Sequence, residues 1–316
     1  ISTVIDLGRR PAKLEFDEAG NLLTDPPPFV EIPMPLILDM PSMGFAGMST
    51  RKAIVKAAVD LKTLAVVNYE EAKEALVEYR KNLIVRLDSY KDSLSVIEGA
   101  PIVELAYSEG VLDAMAKIKS DSPNTIISIR IPLDEHAVNR VSELTKSGAE
   151  VLHLQASPKG RGLGKCKGDF ITGIVRQVHL RLVEDSVRGR VSILLSGGIA
   201  MAEHMAKIIL CGVDGVGIDL ALMAALECRL CNDCGDRIEC PVHLDVVPAD
   251  YGAQRIVNLL GSWHSQLMEV MGAMGIREVR RVRGEIGRAM FLDDLEKDNF
   301  APIFENQLGA PLSSGN

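Results

Sequence analysis

Aromatic residues are scarce in this chain. They make up 4% of its 316 residues, with a single Trp. A core short of aromatics is aliphatic, which suits the layered Val, Ile and Leu interior of an α/β barrel. Basic charge is not in excess either: 35 Lys and Arg stand against 43 Asp and Glu, for a net charge of −8. That excludes the electrostatic footprint of a nucleic-acid binder. No apolar run reaches the length of a membrane span, and no signal peptide is visible. None of the six histidines stands in an evident acid–base pair, and His153 reads as packing. A soluble protein of a reducing cytoplasm is expected.

What is present is alternation. From Leu36 onward, short aliphatic runs are each followed by a turn and a stretch of helical periodicity. The runs are LILDM from Leu36, LAVVN from Leu64, NLIVRL from Asn82, PIVELA from Pro101, TIISIRI from Thr125, EVLHLQ from Glu150, VSILLS from Val191 and GVGI from Gly215. STRKAIVKAAVDL, EEAKEALVEYRK, VLDAMAKIK, EHAVNRVSELTKSG and AEHMAKIILCG read as intervening helices. Near-continuous apolar strands alternating with amphipathic helices predict a parallel sheet covered by helices. Eight such units favour a closed (β/α)8 TIM barrel over a doubly wound open sheet. The boundaries expected are an irregular, proline-rich arm over 1–35, the barrel over 36–227, a cysteine segment over 228–241, and a helical extension and tail over 242–316.

In such a barrel, ligands bind where strands end and βα loops begin. Ser196-Gly197-Gly198 closes the seventh run, and Gly215-Val216-Gly217-Ile218 forms the eighth. Backbone N–H groups without a Cβ in the way can cradle a phosphate, although either glycine pair alone reads as a turn. Asp219 stands where its charge repels phosphate. Four of the six cysteines crowd together as Cys228, Cys231, Cys234 and Cys240, the last followed by Pro241. Three at three-residue spacing before a Cys-Pro favour an iron–sulfur cluster over a four-cysteine zinc site or unligated thiols. The basic, glycine-rich stretch SPKGRGLGKCKG over 157–168 either covers an anion, through Lys159, Arg161 and Lys165, or is a solvated loop. Within it Cys166 stands beside lysines that can lower its pKa. Cys211 reads as core.

The stretch SGGIAMAEHMAKIILCGVDGVGIDLALMAALEC and the cysteines after it resemble the FMN-binding domain of the glutamate synthase large subunit. RIVNLLGSWHSQLMEVMGAMGIREV resembles the helical segment closing that domain, and MGFAGMSTRKAIVKAAVDLKTLAVVN its first βα units. The resemblance implies FMN. Its phosphate would sit on Gly197, Gly198, Gly217 and Ile218, with Ser196 as a further cofactor-binding residue, and its ring near Met43, Gly44 and Asn68. Arg130 stands where the family has a Lys, and Gln155 ends the sixth strand; both are candidate catalytic residues at the ring, or rim contacts. The family's cysteine pattern holds a three-iron cluster. Here Cys231 is additional, so a four-iron cluster (4Fe–4S) is favoured over 3Fe–4S.

The chain also departs from the family. The His-Asp-Gly-Gly-Thr-Gly-Ala motif after the sixth strand is replaced by QASPKGRGLG, and Thr-Gly-Glu-Gly-Gly after the second by Tyr69-Glu70-Glu71-Ala72. The expected function is a glutamate-synthase-like FMN and iron–sulfur oxidoreductase subunit, passing electrons between a ferredoxin-like or other redox partner and a flavin. A separate amidotransferase subunit would supply ammonia, and the isolated chain is expected not to make glutamate. The alternative is a scaffold or electron-relay subunit that has lost flavin chemistry.

Overall fold

The eight aliphatic runs are all strands of one closed parallel barrel, in the order β10-β3-β4-β5-β6-β7-β8-β9. The computed structural model describes residues 1–40, 47–87, 98–231 and 240–288. Two strands precede the barrel, so the arm is not wholly irregular: β1 (Ile5–Gly8) and β2 (Phe29–Ile32) pair antiparallel. The barrel strands are β3 (Leu36–Leu38), β4 (Ala65–Asn68), β5 (Leu83–Leu87), β6 (Ile102–Ala106), β7 (Ile126–Pro132), β8 (Val151–Gln155), β9 (Ser192–Ser196) and β10 (Gly215–Ile218). Their continuous apolar character follows from burial on both faces, one toward the barrel interior and one toward the helices. Leu36, Ile37 and Leu38 are all fully buried.

The helices are α1 (Met48–Asp60), α2 (Tyr69–Lys73), α3 (Val111–Asp121), α4 (Ala137–Lys146), α5 (Ile171–Glu184), α6 (Ala202–Cys211), α7 (Leu220–Ala225) and α8 (Ala249–Ala273). The second predicted helix is cut short. Asn68 and Glu71 form a capping box that starts α2, but the Leu76 N–H then reaches back to Glu71 O. That wide turn lets both Ala72 and Leu76 be buried, and the chain continues as a 3-10 turn over Val77–Asn82. The long helix α8 packs on α1 and α6. A Cβ at Gly252 would lie 2.8 Å from Ala53 Cβ, so glycine is what lets α8 approach α1. Among the described residues no helix is long and apolar enough to cross a membrane.

The first residues are tied to the segment after α8. Ser2 N donates to Arg277 O at 2.7 Å and Val279 N to Ser2 O at 2.9 Å. Thr3 Oγ1 bonds His264 Nε2 at 2.8 Å, and Arg280 pairs with Asp6 at 2.8 Å. Residues Ile1–Gly284 thus form one unit that takes in arm, barrel and α8. Glu285–Asn316 form a second, in which Ile286–Arg288 make a short 3-10 turn.

At the strand-start end of the barrel, Arg188 is almost fully buried. It donates to Asp214 Oδ2 at 2.7 Å, Gly212 O at 2.7 Å and Val191 O at 3.0 Å. Asp214 also accepts from Ile193 N at 2.8 Å and from Arg283. Burial alone would push the Asp214 carboxyl up, but Arg188 and Arg283 outweigh it and hold the group below the ordinary carboxylate range. Asp214→Asn is expected to cost about 3–5 kcal/mol, because it strands a buried guanidinium. The folded pKa lies below the unfolded one, so the contribution is present above about pH 4 and lost as pH falls further. Denaturant unfolding at neutral and acid pH should therefore show a variant that is weaker at neutrality and less acid-sensitive. A shift under about 1 kcal/mol at neutral pH would mean the pair is no keystone.

Candidate functional site

Charged residues recur inside the strands on the side of the barrel where the strands end. Arg86, Glu104, Arg130 and His153 come from β5, β6, β7 and β8, the first in register with Glu104 and the third with His153. Asp39 follows β3, and Ser196 ends β9. A polar side chain inside a barrel needs partners, and these residues supply them to one another.

Arg130 is the hub. Its Nε donates to Glu104 Oε1 at 2.7 Å, while Nη1 and Nη2 clamp Asp39 at 3.0 and 2.9 Å. Nη1 also bonds Gln155 Oε1, and Nη2 faces His153 Nδ1 at 3.2 Å. A guanidinium has five N–H groups. Four are donated here and the fifth meets the histidine. Burial alone would lower the Arg130 pKa, but Glu104 and Asp39 outweigh it and raise it. Burial would likewise raise the Glu104 carboxyl; Arg130, His153 and Arg86 instead hold it well below the usual range.

The row continues behind Glu104. His153 Nδ1 lies 2.7 Å from Glu104 Oε2, and His153 Nε2 lies 2.6 Å from Ser196 Oγ. Glu104, His153 and Ser196 are all fully buried. The geometry has Nδ1–H donating to the carboxylate and Nε2 accepting from the serine hydroxyl. Gly217 makes room for this: a Cβ there would lie 2.0 Å from Ser196 Oγ. Packing within the chain thus accounts for one glycine expected at a phosphate.

The turn after β9 is a different matter. Gly197 and Gly198 have φ of +103° and +79°, values that L side chains rarely adopt. A Cβ at Gly197 would lie 2.5 Å from Ala156 O, and one at Gly198 2.2 Å from Gly160 Cα. The turn is pressed backbone to backbone against the loop after β8. No described residue accepts a hydrogen bond from the amides of Gly197 or Gly198. Paired amides without acceptors suit an anion. Ile218 lies within β10, its carbonyl accepting from Asp39 N at 2.8 Å. Asp219 folds its carboxylate onto Leu220 N at 2.6 Å, and burial together with nearby Asp39 pushes its pKa up.

The other expected residues are partly in view. Asn68 ends β4, its side chain engaged in capping α2. Gln155 ends β8, donating to Ala156 O at 2.9 Å while accepting from Arg130. Met43, Gly44 and Cys234 lie outside the described residues. Cys228 is half-buried, Cys231 exposed and Cys240 buried. Leu230 N donates to Cys228 Sγ at 3.4 Å. The described residues alone gather no group of three or more His, Cys, Asp or Glu side chains fit to hold a metal. The basic loop is pinned: Arg161 stacks 3.5 Å above the Phe170 ring and donates to Gly168 O at 2.6 Å. Lys165 N bonds Glu135 Oε2 at 3.0 Å. The Cys166 thiol is pushed up, first by burial and then by Asp169, Glu135 and Asp134, opposite to what its lysine neighbours imply. Asp39, Arg86, Glu104 and the partnered His153 were not anticipated as site residues.

The fold and the strand-end site together define a closed parallel α/β barrel with a polar cluster at its strand ends. Solved structures of mandelate oxidase (TM-score 0.58, 14% identity, covering 89% of this chain and 85% of that one) and of a chimera of (S)-mandelate dehydrogenase (TM-score 0.57, 12% identity, covering 81% and 80%) share the barrel. At such identity the likeness is one of fold. The chain belongs to the glutamate synthase family: a family profile described as the conserved region in glutamate synthase matches residues 81–277, more than half of its length. It is 24% identical to an archaeal-type glutamate synthase (NADPH) of Dehalococcoides mccartyi over 88% of this chain and 67% of that protein. It is 23% identical to an archaeal glutamate synthase (NADPH) of Archaeoglobus fulgidus over 92% and 70%.

Proposed function

We propose that this chain is the FMN-binding barrel of a glutamate-synthase-like oxidoreductase, and that it passes electrons between a ferredoxin-like partner and the flavin through an iron–sulfur cluster. The observation that carries the reading is the pair of amides at Gly197 and Gly198 that have no acceptor among the described residues, placed after the seventh barrel strand, where this fold holds phosphate. FMN, when bound, supplies a carrier that exchanges electrons singly with a cluster and in pairs with a substrate.

The chain's own residues orient and insulate it. The amides of Gly197 and Gly198 would hold the phosphate, with Ser196 and Gly217 fixing the strand ends beneath. Asn68 and Gln155 lie at the rim, where Met43 and Gly44 would join them. Below, the Asp39–Arg130–Glu104–His153 row presents an ordered polar floor with its charges already paired. Cys228, Cys231, Cys234 and Cys240 would ligate the cluster over 228–241. The Leu230 N–H on Cys228 Sγ is the kind of contact that tunes cluster thiolates. A separate subunit would supply ammonia if the reaction is glutamate synthesis, and the replaced motif after the sixth strand bears on how a keto acid would be held.

One observation favours the scaffold alternative. The Arg130 charge is spent on Asp39 and Glu104, so it adds little to the stabilisation of a reduced flavin. Anaerobic purification with flavin, iron and acid-labile sulfide analysis, followed by titration of the apoprotein with FMN, separates the readings. The expected result is FMN bound more tightly than about 50 µM beside a four-iron signal that becomes three-iron in Cys231→Ser. Cluster bands without flavin affinity would establish the scaffold reading. Stoichiometric zinc without sulfide would remove the cluster.

A further inference from the structure

We infer that Arg86, rather than Arg130, grips an anion at the barrel mouth, and that the anion is the carboxylate of a small organic acid. The inference rests on the flavoprotein reading in one respect: the acid is placed beside a flavin whose phosphate lies at Gly197 and Gly198.

The two arginines occupy inward positions on β5 and β7, with Glu104 of β6 between them. Their hydrogen-bonding states differ. Four of the five Arg130 N–H groups are donated within the chain, the fifth is shut against the His153 ring, and the side chain is 14% exposed. Arg86 is 29% exposed. Its Nε donates to Glu104 Oε1 at 3.2 Å, an oxygen that Arg130 already holds at 2.7 Å. Its Nη2 stands 3.6 Å from Asp39 Oδ1, an ionic contact outside hydrogen-bond length. Among the described residues, Nη1 and Nη2 of Arg86 have no hydrogen-bond acceptor.

Charge compensation divides the same way. Asp39 and Glu104 both make their shortest arginine contacts with Arg130. The third carboxyl at the mouth, Asp219, is pushed toward its neutral form by burial. Arg86 is therefore the less compensated of the two cations. It offers the planar edge of two parallel N–H groups that a carboxylate accepts bidentately. Position separates this point from the phosphate turn. In the strand order of the closed barrel, β5 and β9 are diametrically opposed. The mouth thus carries two anion-binding points at opposite sides, with an internally paired floor between them. Such spacing suits a flavin held by its phosphate on one side and an acid held by Arg86 on the other.

The test is calorimetric titration of the full chain, FMN-loaded and FMN-free, with succinate and with succinamide as its uncharged counterpart. Succinate should bind and succinamide should not. Arg86→Met should weaken succinate about 50-fold, as loss of a charge-assisted bidentate contact does. Arg86→Lys should fall between, because it keeps the charge and loses the fork. Thermal midpoints establish that each variant is folded, and Arg86→Gln serves if Arg86→Met is not. Absence of succinate binding to the wild type, or equal affinity in a folded Arg86 variant, overturns the assignment. Arg86-dependent succinate binding in a chain that takes up no FMN would uphold Arg86 and sink the flavoprotein reading instead.

Discussion

Replacing Arg130 by Met is expected to destabilise the fold by about 3–5 kcal/mol, seen as a fall in Tm of about 10 °C. The cause is what remains behind. Asp39 is 3% exposed and Glu104 fully buried, and both lose their main cation. Arg86 alone would face two carboxylates. Buried charge left unpaired is more costly than the pair was worth. A pH signature distinguishes this from lost packing. In the native chain Glu104 is held below its unfolded pKa, so its contribution is present above about pH 4.3 and lost as pH falls. Without Arg130, burial dominates and the Glu104 pKa rises above the unfolded value, so acidification should restore stability to the variant. Adding Glu104→Gln to Arg130→Met should recover part of the loss, and the double-mutant cycle would give the coupling directly. A variant whose Tm falls by less than about 2 °C would show that these carboxylates are not held as buried charges.

Gly198→Ala is expected to lower FMN affinity by about 100-fold or more, equivalent to about 2.7 kcal/mol. Two effects combine at this residue. An Ala at φ +79° is strained by about 1–2 kcal/mol. Its Cβ would also lie 2.2 Å from Gly160 Cα, and backbone cannot swing aside as a flexible side chain can. The turn must lift from the loop after β8, which moves both open amides. Gly189→Ala is the control, since a Cβ there meets nothing within 4 Å. FMN titration of the two variants, with circular dichroism to follow the barrel, decides the matter. Wild-type affinity in a folded Gly198→Ala would remove the phosphate from this turn.

The barrel was legible because burial on both faces leaves strands with little but Leu, Ile and Val, and each of the eight runs became a strand. The paired glycines after the seventh run were legible as a backbone feature, though not which contact each serves. Gly217 faces Ser196, while Gly198 faces Gly160. The ion network was hidden for a reason of distance along the chain. Asp39 and Arg130 are separated by 91 residues, and only barrel closure brings the end of β3 within reach of β7. A local signal did exist. Arg86, Glu104, Arg130 and His153 each interrupt an otherwise apolar run, in four consecutive strands. Read singly, each passes for a rim residue; read together, they demand a common partner set inside the barrel. The second helix was misjudged because its apolar residues fit helical spacing, whereas the wide turn from Glu71 to Leu76 depends on what lies beneath.

The clasp between Ser2 and residues 277–279 sets an order on the chain's assembly. During synthesis the first residues emerge long before their partners, and Ile5 and Leu7, fully or almost fully buried in the finished protein, must wait with their surfaces wet. The barrel seam has the same property, because β10 must appear before β3 has its second neighbour. Sequence-distant pairings of this kind slow folding and prolong the exposure of sticky surface. The arm must thus keep its apolar residues exposed until residues 277–280 have left the ribosome.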